Sequence, residues 1–220
     1  MKKLKVGIIG VGNIAGSHIS GYKACENAEI VAFCDINETQ LKKRGEEFGI
    51  TNLFTDANEM LDKMPEIGAV SVCTWNSAHK PCAIAALNRG KHVLLEKPMA
   101  MSAKEAQETL EAAKKSGAKL MIGFVRRYGN DCTVVKDFID NGDLGEIYYA
   151  KATYLRRNGN PGGWFGDKSR SGGGPLIDLG VHVIDLVRYL MGNPKAVSVY
   201  GATFHKLGNR KNIKSAKNYA

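Results

Sequence analysis

Residues 5–18 read KVGIIGVGNIAGSH, and this stretch decides the fold. Lys5–Ile9 is a short, β-branched apolar run of the kind that forms a buried strand. Gly10-Val11-Gly12-Asn13-Ile14-Ala15 follows at once and opens a helical pattern. This is the G-x-G-x-x-A fingerprint of a dinucleotide site. Gly10 permits a tight turn, Gly12 lets a pyrophosphate approach the backbone, and Ala15 lets the helix lie close to the sheet. Asn13 and Ile14 begin the helix, whose N-terminus offers N–H groups and a positive dipole end to an anion. A glycine pair alone is a weak signal. Its position between a strand and a helix gives it weight.

Working outward, strand-like runs recur at Ile30–Cys34, Ala69–Cys73, His92–Leu95 and Lys119–Ile122. Helical patterns lie between them at Ile14–Cys25, Glu38–Phe48, Ala57–Met64, Ala78–Arg89 and Ala103–Ser116. Uniformly apolar strands alternating with helices predict a parallel sheet covered on both faces, an α/β Rossmann domain over residues 1–123. Asp56 and Ser102 stand at N-cap positions, and Gly49, Gly90 and Gly117 where helices end. After Gly123 the pattern changes. Asp131–Asp140 and Leu179–Leu190 read as helices, Ile147–Leu155 and Ala196–Phe204 as strands, and residues 158–174 as a glycine-rich loop. Residues 124–220 are therefore expected to form a second α+β domain. Its core is thin for a self-standing unit, so the domain is expected to be incomplete, in a fragment or truncated product.

Composition narrows the function. The chain has 220 residues, 44% apolar and 24% charged, with a net charge of +9. Five of the basic residues and no acid fall in residues 205–220, so the excess is a polar tail rather than a basic stripe, and no nucleic-acid partner is expected. No apolar run approaches the roughly 18 residues of a membrane helix, and Gly7, Gly10 and Gly12 interrupt any signal core. The five cysteines form no C-x-x-C pair and no metal pattern, which fits reduced thiols in a cytoplasmic protein without a metal.

Three further motifs carry chemistry. Asp35 ends the second strand, 23 residues after Gly12, where a carboxylate bonds the adenosine ribose and repels a 2′-phosphate. That position predicts NAD rather than NADP, against the alternative that Asp35 caps the next helix. Glu96-Lys97-Pro98 ends the fifth strand, at the edge where ligands bind in open α/β sheets. There Lys97 can donate to a substrate oxygen. Ser171-Gly-Gly-Gly-Pro175 precedes Asp178 and His182, four apart and so on one face of a helix, with Asp185 one turn further. A carboxylate beside an imidazole can orient it, and histidine suits removal of a hydroxyl proton near neutral pH.

Together these stretches resemble the Gfo/Idh/MocA family, the glucose–fructose oxidoreductase and inositol dehydrogenase group. The resemblance rests on VGIIGVGNIAGSH (6–18), the stretch from Ser71 to Ser102 containing EKP, GFVRRY (123–128) and SGGGPLIDLGVHVIDLVRYLMG (171–192). It implies a Rossmann domain followed by an open, predominantly antiparallel sheet domain with the active site between them. It implies hydride transfer between a nicotinamide and a secondary alcohol of a sugar or cyclitol, in a homo-oligomer (dimer or tetramer). Lys97, Asp178 and His182 match the family's catalytic positions, and Thr74, Asn76, His79, Glu96 and Arg127 its cofactor or substrate contacts. Trp75 departs from the family, where proline is common; its indole is expected at the nicotinamide or the pocket wall. Tyr154 and Trp164 are expected to stack on or bond the sugar. Within the same family the alternatives are NAD-assisted elimination or hydrolysis and transfer to an imine or tetrapyrrole; outside enzymes, the alternative is a regulator that binds dinucleotide without turnover.

Overall fold

The computed structural model describes residues 3–155 and 161–204. Its centre is a six-stranded, wholly parallel sheet in the order β3-β2-β1-β4-β5-β6. The strands are β1 (Leu4–Ile9), β2 (Ala28–Cys34), β3 (Leu53–Phe54), β4 (Ala69–Val72), β5 (His92–Leu95) and β6 (Leu120–Ile122). The helices α1 (Ala15–Lys23), α2 (Glu38–Phe48), α3 (Ala57–Lys63), α4 (Asn76–Leu87) and α5 (Ala103–Ser116) connect them.

Strand alternation divides the core into two layers. Ile8 and Phe33 pack with Val11, Ala15, Ile19 and Leu41 under α1 and α2. Their neighbours Ile9, Ala32 and Cys34 face Met60, Leu61, Ala83, Ala86, Leu87 and Ala113 of α3, α4 and α5. Both sheet faces are thus covered, which explains strands that are apolar throughout. Local chemistry sets the helix ends. The side chains of Asn37, Asp56 and Ser102 accept from the backbone N–H three residues on, and Gly49 and Gly117 close α2 and α5 in the left-handed conformation.

The strand order reverses between β1 and β4, so the turns after these strands diverge and open a crevice at the carboxyl edge. Backbone bonds continue the ladders to that edge, from Gly10 to Cys34, Cys73 to Ile9, Glu96 to Val72 and Gly123 to Leu95. The motif residues therefore stand in one row.

Beyond β6 come a 3-10 turn (Val125–Tyr128), α6 (Asn130–Asp140), a second 3-10 turn (Gly163–Gly166) and the one-turn α7 (Lys168–Ser171). A π-helical turn (Leu176–Gly180) then leads into α8 (Val181–Leu190). The expected antiparallel sheet is absent among the described residues: neither Ile147–Leu155 nor Ala196–Phe204 is in a strand, and every strand of the sheet is parallel. A strand exists only by pairing, and no ladder reaches these runs among the described residues. Their Tyr148, Tyr149, Val197, Val199 and Tyr200 side chains are exposed. The basic tail lies outside the described residues, as do residues 158–160 of the glycine-rich loop.

Candidate active site

Gly10 has φ +87°, and a Cβ there would lie 2.8 Å from the backbone carbon and oxygen of Cys73. The first glycine is thus required both by the turn and by its contact with the β4 end. Gly12 differs: a Cβ there meets no protein atom within 4 Å. What its missing side chain leaves open is space over the helix terminus. No side chain caps the N-terminus of α1 and no acid lies in its first turn. A helix N-terminus without a side-chain cap or a first-turn acid, beside an open glycine, fits a pyrophosphate.

Asp35 braces this loop. Its carboxylate accepts the Val11 N–H at 2.8 Å and the Asn37 N–H at 2.9 Å. Asn37, not Asp35, caps α2 through the Gln40 N–H. The Asp35 carboxylate, half-buried at the rim, keeps lone pairs for a ribose diol. On the other side, Gln40 and Arg44 donate to the Val11 carbonyl, both at 3.3 Å. Sequence reasoning missed these two; their spacing of four on α2 was the available signal.

Lys97 and Asp178 meet. The Lys97 Nζ donates to the Asp178 backbone oxygen at 2.9 Å and to its Oδ1 at 3.2 Å. The peptide between Lys97 and Pro98 is cis. The expectation that Asp178 orients His182 is corrected, since the carboxylate is bonded to the lysine. The reason is the π-helical turn over Leu176–Gly180. Its wider winding breaks the α-helical register that a spacing of four assumes. The buried His182 Nδ1 has no hydrogen-bond partner among the described residues. Burial, followed by the charges of Lys97 and Arg126, pushes the His182 imidazole below its ordinary value, with Glu96 and Asp178 opposing. The neutral ring, able to accept a proton, is therefore favoured at neutral pH. Arg126 had not been singled out within GFVRRY.

Four residues expected at the cofactor are bonded within the protein. The Asn76 Nδ2 donates to the Ser171 carbonyl at 2.7 Å and ties the glycine-rich loop to α4. The His79 ring, 1% exposed, sets Nδ1 2.6 Å from the Pro98 carbonyl and Nε2 3.2 Å from the Thr74 carbonyl. It joins the β4 end to the residue after Lys97. Glu96, 6% exposed, is bonded by His18. Arg127 forms a bidentate pair with Asp185 and stacks on Tyr189 at 5.0 Å. Asn76→Ala would leave the Ser171 carbonyl without its donor. A loss of about 1–3 kcal/mol in denaturant unfolding is expected; unchanged stability would show that the loop is held elsewhere.

Thr74 remains at the rim, its hydroxyl turned to the Trp75 carbonyl at 3.2 Å. Trp75 lies under the Arg170 guanidinium at 4.5 Å, so its indole is part of the wall between α4 and α7. Trp164 stacks on Phe165 with centroids 4.0 Å apart. Tyr154 sits in an extended segment rather than a strand. All five cysteines are free, and burial raises the Cys34 thiol to about 12. No helix among the described residues is long and apolar enough to cross a membrane.

The family model for oxidoreductases with an NAD-binding Rossmann fold matches residues 4–124, and that for the Gfo/Idh/MocA C-terminal domain matches residues 133–216. The chain belongs to the Gfo/Idh/MocA family. This member is 39% identical over 211 residues to the D-glucoside 3-dehydrogenase of Escherichia coli (strain K12), covering 94% of this chain and 60% of that one. It is 29% identical to the myo-inositol 2-dehydrogenase of Thermotoga maritima, covering 86% of this chain and 55% of that one. A levoglucosan dehydrogenase solved with NADH superposes with a TM-score of 0.76 at 30% identity, over 87% of this chain and 54% of that one. The chain thus spans little more than half the length of these relatives.

Proposed function

We propose that this protein is an NAD-dependent dehydrogenase acting on a secondary alcohol of a sugar, sugar derivative or cyclitol. The observation that carries the reading is Lys97, at the sheet edge that also holds the Gly10–Ile14 turn, bonded twice to Asp178 and acting by its charge on His182. The relatives' dehydrogenase activities and the NADH-bound neighbour support it.

The uncapped end of α1 would hold the pyrophosphate and Asp35 the ribose; NAD, when bound, supplies the hydride acceptor. His182, kept neutral, takes the hydroxyl proton. Lys97, aimed by its two bonds to Asp178, donates to the same oxygen and stabilises the negative charge that grows on it as the proton leaves. Tyr154 and Trp164 are proposed to line the sugar subsite. Cytoplasmic location and a homo-oligomer belong to the same proposal. A panel of sugars and cyclitols, followed by the absorbance of reduced nicotinamide, tests it. Reduction with at least one polyol is expected. Tight NADH binding with no turnover on any member would instead support a sensor.

Two further outcomes follow from the geometry. The acid limb of the rate should have a midpoint below about 6.5, because His182 must be neutral and its surroundings disfavour the cation. Arg126→Gln removes one of those positive charges and should move the midpoint upward in a pH–rate profile; an unchanged midpoint would remove Arg126 from the site's electrostatics. Asp35→Ser should narrow the preference for NAD over NADP by about 1–2 kcal/mol, roughly one hydrogen bond to a charged group. Equal cofactor affinities in the parent chain, measured by fluorescence titration, would refute that role.

A further inference from the structure

The α1-covered face of the sheet changes character at its β4 and β5 end. Ile8 and Phe33 fill the layer over β1 and β2, but Ser71 and Glu96 stand at the equivalent positions further along, 0% and 6% exposed. His18 and Tyr22 of α1 meet them. The Tyr22 hydroxyl lies 2.8 Å from the Ser71 Oγ, which lies 3.2 Å from the His18 Nδ1. The His18 Nε2 lies 3.0 Å from the Glu96 Oε1, and the Glu96 Oε2 accepts the Lys97 N–H at 3.2 Å.

The four side chains form one continuous hydrogen-bonded chain. An ionised carboxylate only accepts, so the His18 Nε2 carries the proton. On the ring's other side Nδ1 meets the Ser71 hydroxyl, which in turn meets the Tyr22 hydroxyl. Burial pushes the Glu96 carboxyl up, but the His18 ring, the Lys97 N–H and the Lys97 charge outweigh it and hold the group below the usual carboxylate range. Gly123 closes the far side, since a Cβ there would lie 3.4 Å from the Glu96 Oε1. A layer of ordinary apolar side chains would fill this space without the desolvation cost of a buried carboxylate. The polar chain does what such a layer does not: it connects the helix proposed to hold the cofactor with the residue before Lys97.

We infer that His18, acting through Glu96, is a positioning residue that couples α1 to Lys97. His18 is in the first turn of α1, just below the uncapped donors. A displacement of α1 as those donors engage a pyrophosphate is carried by the His18–Glu96 bond to the backbone of Lys97, while Asp178 holds the other end of its side chain. The inference rests on the dehydrogenase reading only in naming Lys97 as catalytic; the connection itself is geometric.

The test uses the whole chain, with lysine labelled with carbon-13 at Cε and the Lys97 resonance assigned by its absence in Lys97→Arg. In His18→Gln an amide nitrogen can occupy the place of Nε2 and keep the bond to Glu96. His18→Asn reaches only Ser71, and His18→Leu bonds neither. In the free chain the Lys97 resonance should move in the Asn and Leu variants and return to the parent position in the Gln variant. Added NADH should shift the resonance in the parent and the Gln variant but not in the Leu variant, although its Kd, from nicotinamide fluorescence, stays within about threefold. A Lys97 resonance that is the same in the parent and in folded Asn and Leu variants would overturn the inference, because a space-filling role predicts that result. If the parent fails to bind NADH, the dehydrogenase reading falls, and the free-chain comparison still decides the coupling.

Discussion

Lys97→Ala is expected to lower the proposed turnover at least about a hundredfold while leaving NADH affinity nearly intact. The side chain lies at the β5 end with its Nζ bonded twice to Asp178 and to neither the Gly10–Ile14 turn nor Asp35 among the described residues. Its truncation therefore removes a donor from the reacting oxygen without touching the groups proposed to hold the dinucleotide. Loss of proton-transfer and oxyanion assistance is worth this factor or more. His182→Ala should behave alike and also abolish the acid limb of the pH profile, since the titrating base is gone. Single-turnover rates and fluorescence titrations separate the two effects. A Lys97→Ala variant that turns over normally, or that fails chiefly by losing NADH, would remove the lysine from the proton path.

Gly10→Ala and Gly12→Ala should have opposite signatures. At Gly10 the backbone is left-handed and the new methyl meets the Cys73 and Thr74 backbone, which cannot turn aside. Left-handed strain and overpacking together predict a loss of about 2–5 kcal/mol in unfolding free energy. At Gly12 the methyl meets no protein atom. Stability should stay within about 0.5 kcal/mol of the parent, as for a surface change. NADH affinity should nevertheless fall roughly tenfold to a hundredfold, the equivalent of about 1–3 kcal/mol of overpacking against a pyrophosphate. Paired denaturation and binding curves read both quantities. A stable Gly12→Ala variant with parental NADH affinity would show that the cofactor does not approach this turn.

The parts of the fold legible in the sequence were those encoded locally. Glu38–Phe48 and Ala103–Ser116 were bounded to the residue because Asn37, Gly49, Ser102 and Gly117 act within one turn of chain. The two-residue β3 strand escaped notice, since Leu53–Phe54 carries no period of its own. Ile147–Leu155 and Ala196–Phe204 have strand-like composition, but composition cannot supply a partner, and pairing is what makes a strand. At the site, Gly10, Gly12, Asp35 and Lys97 were legible because each belongs to a strand end whose placement follows from topology. The Asp178–His182 spacing misled, because the helix winds as a π-turn where that spacing assumes an α-helix. His79, Asn76 and Arg127 were expected at the cofactor or substrate; their partners in the folded chain are backbone carbonyls and Asp185, and such contacts depend on tertiary packing. His18 stood inside the quoted fingerprint without a role; only the folded chain brings it to Glu96.

Direct hydride transfer from a sugar carbinol carbon at the Lys97–His182 site is the proposed reaction. The most direct measurement incubates the chain with NAD and a panel of polyols, methyl glucosides and inositols among them, deuterated at every carbinol carbon, then weighs the nicotinamide product by mass spectrometry. The account predicts reduced nicotinamide carrying one deuterium from at least one panel member, and at least about a hundredfold less of it from Lys97→Ala. Reduced nicotinamide without deuterium, or deuterium transfer undiminished in Lys97→Ala, would contradict it.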